Sequence, residues 1–234
     1  MNKTKIEWVK NPDGTQGYTS NPIRGLCPVA CKLPDGRVYC YEARRRQRFK
    51  IPIHFEFHQK ELRKIEWARD SRGIFLGSTI ELFHKAIPYD WRRAVFKTIR
   101  ACCPQHRFYV LTKLPHLIDW PMPENVWLGT SITKNEDIWR RNRLILSNAR
   151  IKFISFEPLL EDLDFTLYQG INWIVIGKLT QHGRKYDPKL KWITKIVRNC
   201  ADYGIKVFLK DNLRSIWGDN LIQEFPRTDE GEIR

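Results

Sequence analysis

The chain has 234 residues, 42% of them hydrophobic, which is enough for one large domain, 1–234, with a real core. No run approaches the roughly 20 apolar residues of a membrane span. The opening MNKTKIEWVK lacks the apolar centre of a signal peptide, so a cytoplasmic protein with no membrane partner is expected. Lys and Arg outnumber Asp and Glu by 41 to 26, a formal charge of +15, which suits nucleic acid or another anionic partner and equally a solvated charged surface.

A first strand is expected near 18–23, followed by a cysteine-bearing loop over 25–41. Residues 41–50 then read as a short helix with five cations in seven positions, Arg44, Arg45, Arg46, Arg48 and Lys50. With Tyr41 and Phe49 among them, these are the candidate nucleic-acid residues, because phosphate charge and base stacking are read by cations and rings together. Further Arg pairs at Arg92-Arg93 and Arg140-Arg141, with Arg143, carry Trp91 and Trp139 beside them. The same runs also fit solvated helix faces, and most of the nine Trp fit a core.

Beyond residue 57 the chain alternates. Buried strands are expected at 73–78, 107–112, 125–131, 151–157, 172–177 and 205–210, all short and apolar on both faces. Helices are expected at 58–69, 90–102, 135–148 and 188–203, the last ending at Gly204, a suitable left-handed C′ residue. Strand–helix alternation means parallel strands joined by right-handed crossovers. The fold class is therefore α/β, a partial (β/α) barrel of about six to seven parallel strands, with a doubly wound sheet as the competing topology. Neither G-x-G-x-x-G nor a phosphate loop occurs. The polar extension 217–234 is expected to pack only as a flap.

Six cysteines are present. Cys102, Cys103 and Cys200 fall on helices and read as packing residues. Cys27, Cys31 and Cys40 have the spacing C-x3-C-x8-C, with a Pro34-Asp35-Gly36 turn signal in the long gap. Three thiolates can hold three corners of a [4Fe–4S] cubane and leave the fourth iron open, whereas electron-transfer clusters usually take four. They can also hold zinc with a fourth ligand, His54 and His58 being the nearest histidines, or remain reduced thiols.

Chemistry in parallel α/β folds gathers at the carboxyl ends of strands. Ser78, Thr79 and Glu81 follow one strand, as a site or as a helix cap. Thr112 and Lys113 follow the next, then Ser131 and Thr133, then Glu157 before Pro158. Lys178 and Lys210 close the last two, so a basic mouth for an anionic substrate is expected, against a merely solvated rim. His84 is a further candidate.

Tyr39-Cys40 after C-x3-C resembles the radical S-adenosylmethionine superfamily, whose usual second gap is two residues, not eight. Asn21-Pro-Ile-Arg-Gly-Leu-Cys27, Gly77 to His84, Leu111-Thr112-Lys113, Trp127 to Ser131, Ser155 to Leu160 and Phe208 to Asp211 extend that likeness over about 4–213. Together they look like an uncharacterised, phage-associated radical-SAM-like family. The resemblance implies a [4Fe–4S] cluster on Cys27, Cys31 and Cys40, with S-adenosylmethionine and an electron donor, generating a 5′-deoxyadenosyl radical. It also implies that Ser78, Thr79, Glu81 and Ser131 hold the cofactor, with Glu157, Lys113 and Lys210 left for the substrate. Two other readings stand beside it. One is a non-catalytic nucleic-acid-binding protein with a structural zinc or a redox-sensing cluster. The other is a metal-free phosphate-handling enzyme.

Overall fold

The structure, a computed structural model, describes residues 1–50, 54–164, 169–180 and 182–227, without the side chain of Cys102. The strands are β1 (Asn2–Lys3), β2 (Tyr18–Ser20), β3 (Ile23–Arg24), β4 (Glu56–Phe57), β5 (Gly73–Leu76), β6 (Arg107–Thr112), β7 (Val126–Ser131), β8 (Ile151–Phe156), β9 (Trp173–Ile176) and β10 (Lys206–Leu209). The helices are α1 (Tyr41–Phe49), α2 (Gln59–Glu66), α3 (Tyr89–Cys102), α4 (Trp139–Ile145), α5 (Leu190–Asp202) and α6 (Arg214–Trp217). Each strand and helix expected from β5 onward is present. The expected helix at 135–148 is a 3-10 turn followed by the shorter α4. The expected first strand divides: β2 joins the main sheet, and β3 turns away to pair with β4.

Eight strands form the main sheet in the order β1-β2-β5-β6-β7-β8-β9-β10. Only β1 runs antiparallel; β2 and β5 to β10 are parallel. The order never reverses, which the doubly wound alternative requires. Right-handed crossovers then keep the helices on one face of the sheet. The burial pattern agrees. Leu62, Ile65, Val95, Ile99, Leu144, Ile193 and Ile196 from the helices join one cluster with Ile74, Val110, Leu128, Ile154 and Ile176 from the strands.

The opposite face carries a second cluster of rings: Phe75, Tyr109, Trp127, Phe153, Trp173 and Phe208, one from each of six strands, closed by Trp8. The Trp8 indole lies 5.1 Å from the Phe75 ring, 5.7 Å from Phe153 and 6.0 Å from Trp173. Gly129 belongs to this layer because the Phe153 ring lies across it; an added Cβ would sit 2.4 Å from ring atoms.

The tail beyond Trp217 is more than a polar flap. Gln223 bridges Phe208 antiparallel, covering the free edge of β10. Phe225 sets its ring 5.3 Å from Trp173 and 5.4 Å from Phe208. Residues 228–234 of the expected extension lie outside the described residues. At the other end of the chain, Glu7 accepts the Asp211 N–H at 2.9 Å.

Candidate functional site

The long gap between the second and third cysteines folds back on itself. Gly36 takes φ 84°, the left-handed geometry that a Pro-Asp-Gly turn needs. Around it Leu33 N–H donates to the Arg37 carbonyl at 2.9 Å, and Tyr39 N–H donates to the Cys31 carbonyl at 3.0 Å. Residues 31–40 are thus a hairpin, and its base returns Cys40 beside Cys31. The two thiols hydrogen-bond, which raises the Cys31 pKa and lowers that of Cys40. Burial opposes the Cys40 charge; the backbone N–H groups of Ala43 and Glu42 at the start of α1, and the Lys113 charge, favour it. Burial raises Cys27.

The hairpin is tied down at both sides of the strand ends. At its tip Asp35 pairs with Arg37 at 2.8 Å, Arg37 donates to the Tyr186 hydroxyl at 3.0 Å, and that hydroxyl donates to Asp35. At its base Tyr39 is held by Thr133, the residue two beyond β7, and burial raises its phenol.

Beneath the hairpin lies a cavity of about 390 Å3. Cys27, Cys31 and Cys40 all line it, together with Ser78, Thr79, Glu81, Lys113, Ser131 and Glu157. Segments far apart in sequence meet there because parallel strands deliver their carboxyl ends to one side. Lys210 reaches the site through an ion pair with Glu157. Gly177 allows that pair: a Cβ there would sit 2.9 Å from carbons of both side chains. Burial works against the Lys210 charge, and Glu157 overrides it, so its pKa is raised.

Three expectations change. Glu81 was expected to help hold the cofactor, but its buried carboxylate already accepts the Thr112 hydroxyl at 2.6 Å, the Lys113 N–H at 2.7 Å and the Phe83 N–H at 3.3 Å. Burial raises its pKa and these donors oppose the rise. Glu81 is a clasp between the ends of β5 and β6. The basic mouth is largely neutralised: Lys178 pairs with Asp187 at 2.9 Å and Lys210 with Glu157. The Lys113 side chain has no ion pair among the described residues.

The α1 cations do not share one surface. Arg45 and Arg46 both turn to Glu42, at 2.8 and 2.9 Å, Arg44 faces the cavity, and only Arg48 and Lys50 are exposed. Arg92 and Arg141 are buried too. Helical periodicity is the reason: consecutive residues are about 100° apart around the axis.

Sequence reasoning passed over Asn21, whose amide holds Ser78 Oγ at 3.2 Å and accepts the Thr79 N–H at 3.3 Å. It also passed over Tyr186, which no local pattern marks. His84 is spent locally, accepting the Ala86 N–H at 3.1 Å. Cys103 and Cys200 are buried, as expected of packing residues; the Cys102 side chain lies outside the described residues.

The donor set bears on which metal fits. Among the described residues no group of three His, Cys, Asp or Glu side chains converges to hold a single ion. A tetrahedral zinc needs such convergence and a fourth ligand. His54 and His58 each lie 2.8 Å from a Glu56 carboxylate oxygen. A cubane takes each thiolate on a different iron, so three thiols around one cavity suit its chemistry. Among the described residues no helix is long and apolar enough to cross a membrane.

Searches among curated proteins and among solved structures each returned no match. A family model of proteins of unknown function matches residues 3–230. With nearly the whole length matched, the chain belongs to the DUF5131 family.

Proposed function

We propose that this protein is a radical S-adenosylmethionine enzyme on a partial (β/α) barrel, acting on nucleic acid or another anionic substrate. The observation that carries the reading is the hairpin 31–40. It returns Cys40 beside Cys31 despite the eight-residue gap, and Cys27, Cys31 and Cys40 all line one cavity at the carboxyl ends of parallel strands, which supports reading them as a three-cysteine motif. The barrel reading is supported by Trp8. Its ring touches rings of both β5 and β9, four strands apart, a separation of roughly 19 Å in a flat sheet.

Cys27, Cys31 and Cys40 would each hold one iron of a [4Fe–4S] cluster. When bound, that cluster would supply the electron that cleaves S-adenosylmethionine to a 5′-deoxyadenosyl radical. The protein's own residues orient and enclose. Asn21 fixes the Ser78–Thr79 turn, which with Ser131 is the binding edge for the cofactor's amino acid end. Glu81 acts indirectly, by fixing Lys113 through its backbone. Lys113 supplies positive charge near the thiols, and the Glu157–Lys210 pair bounds the cavity on the substrate side. Tyr39, at the base of the hairpin, lines the cavity beside Cys31 and Cys40.

The test is anaerobic reconstitution with iron and sulfide, followed by metal analysis and EPR of the reduced protein with and without S-adenosylmethionine. About four irons per chain, a signal altered by S-adenosylmethionine, and loss of both in Cys40→Ser are expected. A protein that takes up zinc alone, or a cluster indifferent to S-adenosylmethionine, would refute the reading in favour of a binding module.

A further inference from the structure

Outside the cavity, cations gather beside exposed apolar groups at one place on its rim. The chain leaves β6 through Lys113, which lines the cavity, and three residues later presents His116. The His116 ring meets the Trp139 ring edge-on at 5.2 Å, and the Arg140 guanidinium lies 6.0 Å from the Trp139 centroid. Trp139 is 43% exposed and Leu146 74%. His116, Arg143 and Leu146 line a shared groove of about 490 Å3, with Asp119 as the one acidic side chain on its wall. Burial and then the charges of Arg143, Lys85 and Arg140 lower the His116 pKa, so all three cations add to the positive field at this ring. Arg140 is satisfied by Asp137 at 2.7 Å. Lys85 and Arg143 are exposed and form no ion pair among the described residues.

Like charges held together without counter-ions are unfavourable in isolation and favourable opposite a polyanion. An acidic protein surface would answer the charge but not the half-exposed indole. A strand with unpaired bases answers both, since stacking on an aromatic face is the usual companion of phosphate contacts. We propose that this rim binds single-stranded nucleic acid, Trp139 stacking on a base while Lys85 and Arg143 contact phosphates. The surface is thus on α4 and the segments that follow β5 and β6 rather than on α1, whose arginines are largely turned inward. The inference extends the cavity reading, because a strand held here passes beside Lys113, but binding itself needs no cluster.

The experiment is fluorescence anisotropy of a labelled single-stranded oligonucleotide, titrated with the metal-free and with the iron-reconstituted protein over a range of salt. Wild type should bind in both forms, and Trp139→Ala should weaken binding about tenfold. The double variant Lys85→Glu/Arg143→Glu should lower the slope of log affinity against log salt by about 1.4, two single-strand phosphate contacts. Arg198→Glu, on the exposed side of α5, should leave binding unchanged. Absence of binding by wild type, wild-type affinity in both rim variants, or equal competition by polyglutamate would overturn the proposal. Failure of the radical reading would instead appear as missing iron or indifference to S-adenosylmethionine while oligonucleotide binding persists.

Discussion

The lower and upper parts of the sheet face opposite the helices treat one surface in opposite ways. Near the strand starts, Tyr109, Trp127, Phe153, Trp173 and Phe208 fill it with rings. Further along the same strands the positions on that face become Gly129, Ser131, Ser155 and Gly177, small or polar, while Leu111 and Val175 still pack against the rings. Period-two alternation keeps both sets on one face. The lower layer is dense and dry, so its side chains contribute stability. The upper layer leaves the cavity open and contributes chemistry. Stability and function are therefore separable by a few residues along one strand.

The largest break in this comparison is Trp173→Ala. Trp173 is fully buried among six other rings, so its loss should destabilise folding by about 3–5 kcal/mol in urea unfolding. Lys113→Met, in the upper layer, should leave unfolding within about 0.5 kcal/mol of wild type. Equal losses in the two variants would erase the division.

Gly129→Ala tests the border between the layers. Its methyl would meet the Phe153 ring, and overpacking should cost about 1–3 kcal/mol, read as a lower urea midpoint with an unchanged slope. Glu81→Gln preserves shape but points an amide at a backbone donor, either Lys113 N–H or Phe83 N–H. A loss of about 1–3 kcal/mol is expected from that unmet bond. An unchanged midpoint would show that Glu81 is not a clasp.

The smallest effect is a pH dependence outside both layers. His106 is buried; its Nδ1 accepts the Arg72 N–H at 3.3 Å, and its Nε2 lies 3.1 Å from the Ile65 carbonyl. Burial, and then the Arg72 charge, hold its pKa below the ordinary 6.5, so the unfolded chain binds the proton more readily. The stability from neutral His106 is full above pH 6.5 and is lost as pH falls below it. His106→Asn should flatten that part of the stability–pH curve, and an unaltered slope would assign it to other groups.

Much of this fold is legible in the chain, because its signals are local. Apolar runs such as RFYVLT and NWIVIG announce strands, and Gly204, at φ 65°, ends α5 where a left-handed residue is needed. Pro34-Asp35-Gly36 announces the turn that brings Cys40 back to Cys31. The C-terminal tail misled for the same reason: its composition is polar, yet one residue, Phe225, reaches the ring layer.

The sequence by itself determined the alternation of strands and helices, hence a parallel α/β sheet, and the turn within the cysteine loop; the strand order and the meeting of the three cysteines with the strand ends came from the tertiary structure. Only the tertiary structure decided which charges remain free. Glu157 and Lys210 are 53 residues apart, and Asp35 and Tyr186 are 151 apart, yet each pair is in contact. Backbone periodicity is written between neighbours in the chain. Charge pairing depends on neighbours in space, and these arise only once the sheet has brought its strand ends together.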